Sequence, residues 1–388
     1  MRKVLLIRSQ LDPLAGSGTA AALWTLEALR DAYDLSLLTW RPVDLEALNR
    51  YYGTSLRSAD VRVHQVPRWV RRWLKGNRLR LLQDSFLMRR CQRLGREYDI
   101  LIGMNNEFDF GRRGIQYIEY PRFYDARVNA RAARDIEPFA LHWYHTPLLM
   151  RGYFWLSMAT AGFSLQRMRS NLTLVNSDWT GRLMHAVHEV DTVTVYPPVR
   201  TDFPALPWER RENGFICVGR IAPEKRIETI IDILQAVRAQ GSDVHLHIVG
   251  VPGPSDYVER IRRLQAAHAA WIRLEIDLPY DAVVRLLTTH RYGLHAMRHE
   301  PFGIALAEMV HAGCLLFVPA DGGLVEIVGR HPDLVYETPA EAAAKIHAVI
   351  GDAAHQQAVM QHLAMHAPQY STQRFMEQIG ALVAGFSG

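Results

Sequence analysis

Short apolar segments alternate along this chain with longer amphipathic segments. Near the start, the apolar run KVLLI is typical of a buried strand, and TAAALWTLEALRDA, which follows the loop RSQLDPLAGSG, is typical of a helix. Further strands are predicted at DLSLLTW, YDILIGMN and NLTLVNS. Because strands that alternate with helices form parallel βαβ units, the first half of the chain is predicted to be a parallel α/β domain.

A proline-rich passage interrupts the alternation. Residues 195–213, VYPPVRTDFPALPWERREN, contain four prolines and no hydrophobic period, which is typical of a linker. After it the alternation restarts with the helix APEKRIETIIDILQAVRAQG and the strands GFICVGRI, VHLHIVG, WIRLEID, YGLHAM and CLLFVPA. The pattern therefore predicts two α/β halves, with a ligand crevice beyond the carboxyl ends of their strands.

Composition agrees with this division. The chain has 388 residues, of which 48% are hydrophobic and 22% charged, as expected of two or three globular domains. Cys91, Cys217 and Cys314 are far apart, which favours buried thiols in a reducing compartment. The N-terminal apolar run, Val4–Ile7, is too short for a signal peptide, and no apolar run has the length of about 18 residues that a membrane span needs. We therefore expect a cytoplasmic protein.

The net charge of +5 is modest, but the basic residues are unevenly distributed. The segment Arg68–Arg96 carries ten Lys or Arg and one acid, and it includes Trp69 and Trp73. It is either an ordinary solvated helical face or an interfacial helix that binds anionic lipid, peripheral on the inner face of the membrane. Nucleic acid is disfavoured as a partner, because no nucleic-acid motif accompanies the charge.

Two turns after predicted strands have the chemistry of phosphate sites. AGSG, with Gly16 and Gly18, either cradles a phosphate or is a plain flexible loop. In VGRIAPEKRIE, Gly219 and Arg220 end a strand, and Lys225 follows five residues after Arg220. Both cations can reach one point above the strand, where they would stabilise a diphosphate leaving group. The alternative is a surface arginine and a helix-capping lysine.

The stretch HEPFGIALAEMVHAG places two carboxylates around a helix start. The backbone amides of Phe302, Gly303 and Ile304 would be free at that start, where phosphate binds well. Glu308 lies in an otherwise apolar face and can accept hydrogen bonds from a cis-diol such as ribose. The alternative is that both acids are ordinary surface residues. This would explain the position of Glu300 but not that of Glu308, which lies in the apolar face.

These stretches together resemble the signature of retaining glycosyltransferases of family 4, because VGRIAPEKRIE is followed in the same order by HEPFGIALAEMVHAG and PADGGLVEIV. QYIEYPRFYD, LVNSDWT and VYPPV resemble segments of the mannosyltransferase branch that builds lipid-linked glycans. The resemblance implies an α/β GT-B fold, with two Rossmann-like domains facing across a cleft. Residues 1–198 would bind the acceptor, residues 199–368 would bind the nucleotide sugar, and residues 369–388 would form a helix packing back on the first domain.

The resemblance also implies roles for individual residues. Arg220 and Lys225 would bind the diphosphate, Glu308 would hold the ribose and Glu300 the hydroxyls of the donor sugar. The remaining contacts would come from Gly219, from the amides of Phe302, Gly303 and Ile304, from the loop of Gly16 and Gly18, and from Asn176 and Ser177 near the cleft.

The chain departs from the family pattern at two places. Ser17 separates two glycines that are often adjacent in the family, and Glu119 stands where the branch often has a histidine that helps place the donor sugar. Glu119 is therefore a further catalytic candidate, and His142 or His145 is a possible spatial substitute for the histidine.

The sequence thus predicts a retaining glycosyltransferase without a cofactor, whose donor is a nucleotide diphosphate sugar, with GDP-mannose favoured, and whose acceptor is a glycan or lipid-linked glycan. No Asp-x-Asp motif occurs, so no metal ligand is assigned, and His245 and His247 are interpreted as packing or surface residues. The alternatives are a sugar-nucleotide epimerase or hydrolase on the same fold, and a catalytically silent sugar-nucleotide-binding protein.

Overall fold

A computed structural model of the chain describes residues 1–11, 17–74, 79–104, 106–121 and 147–387. The chain divides into two compact units, and each is built on one parallel sheet. Unit 1 comprises Met1–Pro198 and Thr372–Gly388, and unit 2 comprises Val199–Ser371.

Unit 1 contains a seven-stranded parallel sheet. Its strands are β1 (Lys3–Ile7), β2 (Asp34–Thr39), β3 (Val61–Gln65), β4 (Ile100–Gly103), β5 (Ile115–Ile118), β6 (Leu172–Val175) and β7 (Thr192–Thr194). Its helices are α1 (Ser17–Leu29), α2 (Leu45–Tyr52), α3 (Arg68–Trp73), α4 (Arg80–Leu94), α5 (Pro147–Ala161), α6 (Leu165–Arg169), α7 (Asp178–His188) and the C-terminal helix α15 (Thr372–Ala384). The strand order is β3-β2-β1-β4-β5-β6-β7. The order reverses between β1 and β4, and ligands bind at such switch points in open α/β sheets.

Two hydrophobic cores cover the two faces of this sheet. Val4 and Leu6 of β1 point into one core, and Leu5 and Ile7 point into the other, as the two-residue period of a strand requires. The first core also contains Phe375 of α15, so the end of the chain belongs to the fold of unit 1.

Unit 2 contains a six-stranded parallel sheet of order β10-β9-β8-β11-β12-β13. Its strands are β8 (Glu212–Val218), β9 (His245–Gly250), β10 (Ile272–Ile276), β11 (His290–Leu294), β12 (Leu315–Pro319) and β13 (Val335–Tyr336). Its helices are α8 (Ile227–Ala239), α9 (Ser255–Ala267), α10 (Tyr280–Thr289), α11 (Ile304–His311), α12 (Leu324–Ile327), α13 (Pro339–Gly351) and α14 (Ala353–His366). The switch point of this sheet lies between β8 and β11.

The prediction of parallel α/β structure in both halves is confirmed, but one helix starts later than the sequence pattern indicates. Pro223–Lys225 forms a separate 3-10 turn, and Arg226 has a φ of 51°, in the left-handed region. Helix α8 therefore begins at Ile227. Because Lys225 belongs to the separate turn, the direction of its side chain is not set by helix α8.

The three cysteines are buried and unpaired, as predicted. Burial raises the pKa of the Cys217 and Cys314 thiols to about 12, so these side chains are inert packing groups at neutral pH. Among the described residues, no helix combines the length and the apolar character that crossing a membrane would require.

Candidate functional site

The residues predicted to bind a nucleotide sugar follow the carboxyl ends of neighbouring strands in unit 2. The loop at 219–225 follows β8, Glu300 follows β11, and the loop at 321–323 follows β12. Because the strands are parallel, all three loops lie at one edge of the sheet, beside its switch point.

Lys225 and Glu300 form an ion pair at this edge. The ammonium Nζ of Lys225 lies 2.5 Å from Oε2 of Glu300. His295, whose side chain is almost completely buried, places Nε2 3.5 Å from the same carboxylate oxygen. The structure thus brings together a predicted cation, a predicted acid and a histidine that the sequence analysis did not single out.

The electrostatics of this group keep the acid ionised. Burial opposes ionisation of Glu300, but the nearby Lys225 ammonium and the His295 ring outweigh it and lower the pKa of Glu300 to about 2. Burial lowers the pKa of His295, so that its ring is neutral at neutral pH. Glu300 is therefore a fixed carboxylate that can accept hydrogen bonds from sugar hydroxyls.

The backbone of Glu300 is held by the neighbouring loop. The amide of Gly323 donates a hydrogen bond of 2.9 Å to the carbonyl of Glu300. Gly322 has a φ of 74°, and a Cβ at this position would lie 2.4 Å from the same carbonyl oxygen. Asp321 accepts hydrogen bonds from Nδ1 of His299 at 2.9 Å and from the His299 amide at 3.3 Å. The glycine and the Asp321–His299 contacts therefore position the Glu300 side chain.

Helix α11 begins directly after this loop. Its N-cap is Gly303, with a φ of 95°, and no side chain caps the helix. Phe302 is buried and its ring packs against Tyr370, with 5.7 Å between ring centroids. The first amides of the helix, starting at Ile304, thus have no side-chain cap, and an uncapped helix N-terminus favours an anionic group.

Glu308 lies on α11 and has its own partners. The hydroxyl of Tyr280 donates a hydrogen bond of 3.0 Å to Oε1 of Glu308. The guanidinium of Arg200 lies 5.2 Å from the centre of the Tyr280 ring. Burial raises the pKa of Glu308 to about 7, although Tyr280 and Arg200 both favour the ionised form. Glu308 is therefore divided between its protonated and ionised forms at neutral pH.

The second predicted cation does not meet the first. Arg220 forms a short ion pair with Glu224, and more than half of its side chain is exposed. Lys225 instead contacts Glu300. In the structure the two cations therefore have different carboxylate partners. The neighbouring Gly219 donates its amide to the Val249 carbonyl at 3.0 Å, which ties this loop to β9.

Glu119 lies in unit 1, at the carboxyl edge of its sheet. Oε2 of Glu119 lies 3.2 Å from Nη1 of Arg8, a buried residue that follows β1. The side-chain oxygen of Asn106, which follows β4, accepts the amide of Glu119 at 3.0 Å. A Cβ at Gly18, in the first turn of α1, would lie 2.3 Å from the Arg8 guanidinium. The switch point of this sheet therefore carries an arginine-carboxylate pair.

The remaining predicted residues have simpler roles or are not described. Ser177 caps α7 by accepting the Thr180 amide at 3.1 Å, and Asn176 is buried. Gly16, His142 and His145 lie outside the described residues.

Sequence reasoning missed three side chains of these sites. His295 directly follows a strand, and a polar residue at a strand's carboxyl end is a usable signal. Arg8 directly follows β1 and carried the same signal, whereas Tyr280 gave none, because its partner Glu308 meets it only in the folded unit.

Comparison with known proteins assigns most of unit 2 to a family. Residues 199–362 match the family described as Glycosyl transferases group 1, and this range contains the Lys225–Glu300 pair and Glu308.

Several characterised relatives share one name, "GDP-Man:Man(3)GlcNAc(2)-PP-Dol alpha-1,2-mannosyltransferase". The protein from Candida albicans is 26% identical over 42% of this chain and 30% of its own length. The proteins from Dictyostelium discoideum and Homo sapiens are each 28% identical, over 47% and 42% of this chain and 40% and 37% of their own lengths. The chain thus matches less than half the length of these relatives.

Solved structures extend the similarity to the whole chain at the level of the fold. WaaG, a glycosyltransferase involved in lipopolysaccharide biosynthesis, superimposes with a TM-score of 0.69 at 14% identity, covering 99% of this chain and 100% of its own. Anabaena HepE in complex with UDP and glucose superimposes with a TM-score of 0.68 at 14% identity, covering 100% of both chains. The predicted fold class, GT-B with two Rossmann-like domains, is confirmed.

Proposed function

We propose that this chain, whose residues 199–362 match the glycosyl transferases group 1 family, transfers mannose from GDP-mannose to a hydroxyl of a lipid-linked glycan. The observation that carries the proposal is the group of Lys225, Glu300 and His295 at the switch point of unit 2. The names of the relatives support the donor and the acceptor class.

Unit 2 supplies the groups that a nucleotide diphosphate sugar needs. Glu300 is an ionised, backbone-anchored acceptor for the sugar hydroxyls, and Glu308 is an acceptor for the ribose hydroxyls. The uncapped amides that start α11 receive a phosphate oxygen. The ammonium of Lys225, which pairs with Glu300, supplies positive charge beside the sugar site.

The chemistry follows a same-face displacement with retention. The bond between the anomeric carbon and the phosphate oxygen breaks, and the acceptor oxygen bonds to the same face of the sugar. The acceptor proton moves to the departing phosphate oxygen, so no protein base is required. The protein contributes positioning and charge, with Lys225 and Arg220 offsetting the negative charge that develops on the diphosphate. No metal ion takes part in this step.

Unit 1 carries a surface suited to a membrane-bound acceptor. Trp69 and Trp73 of α3 are 68% and 83% exposed, and Trp155 of α5 is 71% exposed. A helix that served only the protein core would bury such side chains, whereas exposed tryptophans beside arginines suit the headgroup region of an anionic bilayer. We assign α3 as the site of peripheral membrane attachment.

The test combines binding with product analysis. The protein is screened by thermal shift against GDP-, UDP-, ADP- and dTDP-sugars, because a ligand at a hundredfold excess over its Kd adds about 2.7 kcal/mol of stability. The selected donor is then incubated with lipid-linked oligosaccharide acceptors in the presence of EDTA. A new α-mannoside is the expected product. A changed free sugar would identify an epimerase or hydrolase, and binding without any product would identify a silent binding protein.

A further inference from the structure

Three histidines of unit 2 meet at the edge of the sheet opposite the candidate site. His245 and His247 lie at the start of β9, and His290 is the first residue of β11. One nitrogen from each ring can be chosen so that the three nitrogens lie within 4.8 Å of one another. The group is separated from the Lys225–Glu300 pair by the length of β8, so it has no part in the sugar-nucleotide site.

Strand β8 runs between β9 and β11, and its Gly214 has no side chain to keep His245 and His290 apart. His245 pairs in register with Gly214 of β8. A Cβ at Gly214 would lie 2.2 Å from Nε2 of His245. The ring of His245 therefore occupies the space above the glycine and reaches across β8 to His290.

The distances suit a small metal ion. Nε2 of His245 lies 3.2 Å from Nε2 of His290. Two imidazole nitrogens bound to one tetrahedral zinc ion, at about 2.0–2.1 Å each, lie roughly 3.3 Å apart. The ring centroids of His247 and His290 are 4.7 Å apart, so the His247 ring lies beside the other two.

The protonation states also suit a metal. Burial lowers the pKa of His290 to about 4, and it also lowers the pKa of His245 and His247. Nδ1 of His290 lies 2.9 Å from the carbonyl of Leu286, to which it donates, so its Nε2 presents a lone pair to the other two rings. Three neutral imidazoles at neutral pH are the ligands that Zn²⁺ and other late transition metals prefer.

We propose that His245, His247 and His290 form a binding site for one Zn²⁺ ion that links β9 to β11 across β8. Glu212 is placed to complete the coordination, because its Oε2 lies 3.3 Å from Nε2 of His245. Oε1 of Glu275 lies 3.5 Å from Nδ1 of His247 and would orient that ring once its Nε2 binds the ion, as carboxylates commonly do for zinc-bound histidines. The ion stabilises unit 2 and takes no part in sugar transfer.

The experiment uses the full-length chain without an affinity tag, stripped with EDTA and then freed of the chelator. Zn²⁺ is titrated in competition with a chromogenic chelator, and Tm is measured with and without the ion. One Zn²⁺ per chain is expected, with a Tm rise of at least about 5 °C at a hundredfold excess over Kd. Co²⁺ in place of Zn²⁺ should give the visible absorption of a four-coordinate site.

Variants separate this site from incidental binding. His245→Gln and His247→Gln, at partly exposed positions, should each weaken Zn²⁺ binding by at least about 100-fold, since even residues outside the ligand set change metal affinity by 10–100-fold. His268→Gln, at a histidine of unit 2 outside the cluster, should bind Zn²⁺ like the wild type. Equal binding by the wild type, His245→Gln and His247→Gln, or no stoichiometric binding by the wild type, would overturn the proposal and leave a hydrogen-bonded histidine cluster.

Discussion

The pH dependence of donor binding tests the role of Glu308. Burial raises the pKa of this carboxyl to about 7, and only its ionised form accepts hydrogen bonds from both ribose hydroxyls. With that pKa, roughly a tenth of the protein is ionised at Glu308 at pH 6 and roughly nine-tenths at pH 8. Affinity for an intact nucleotide sugar should therefore increase about tenfold between pH 6 and pH 8.

Two variants assign this dependence to Glu308. Glu308→Gln should bind the donor more weakly and should lose the pH dependence. Tyr280→Phe removes the hydrogen bond that favours the ionised carboxylate, so the midpoint of the curve should move to higher pH by on the order of one unit.

The measurement is isothermal titration calorimetry with GDP-mannose between pH 5.5 and 8.5. The intact sugar nucleotide is used because its phosphodiester groups do not titrate in this range, whereas a terminal phosphate has a pKa near 6. Affinity that stays constant with pH in the wild type, or that falls as pH rises, would refute the assignment of ionised Glu308 as the ribose acceptor.

Three further predictions concern the other sites. Lys225→Ala should lower kcat by about 10²–10³ with a smaller change in KM, because Lys225 stabilises charge that develops on the leaving group. Gly322→Ala should lower the free energy of unfolding by about 1–3 kcal/mol in denaturant titrations and reduce turnover, because a Cβ there meets the carbonyl of Glu300 and the φ of 74° is strained for alanine. The wild type should sediment with anionic but not zwitterionic vesicles, and Arg68→Glu with Arg72→Glu should weaken this binding at least tenfold, since each surface cation contributes about 1 kcal/mol.

Controls and contradicting results distinguish these effects from general disruption of the protein. Wild-type kcat in Lys225→Ala would place the diphosphate contact elsewhere. Gly351→Ala, in the same unit and with no atom within 4 Å of the added Cβ, should leave turnover unchanged. Arg262→Glu with Arg263→Glu, on exposed α9 positions of unit 2, should not change vesicle binding. Equal sedimentation with both vesicle types would show that α3 is an ordinary solvated helix without a preference for anionic lipid.

The fold was largely predictable because its signal is local. The run KVLLI was predicted as a strand and forms β1 with the same limits, since an apolar stretch bounded by polar residues and buried on both faces is a property of the segment itself. Strands such as β3, with exposed Arg62 and Val63, and the two-residue β13 carried no such signal and were missed. Their place in the sheets depends on neighbours that complete their hydrogen bonds.

The candidate site was predictable in part for the same reason. Lys225, Glu300 and Glu308 stand in motifs whose spacing follows from a strand, a turn and a helix start. Their positions could therefore be assigned from the sequence, whereas the pairing of Lys225 with Glu300 depended on the order of the strands.

Only the tertiary structure decided which distant side chains meet and how they titrate. Arg8 can pair with Glu119 because the strands that precede them, β1 and β5, lie on either side of β4. His290 contacts His245 because β8, the strand between theirs, has a glycine at this position. The raised pKa of Glu308 likewise depends on the surroundings of α11 rather than on its motif. A sequence pattern fixes the period and direction of each segment, but strand order and burial arise from the packing of all segments together, and these set the contacts and electrostatics of the sites.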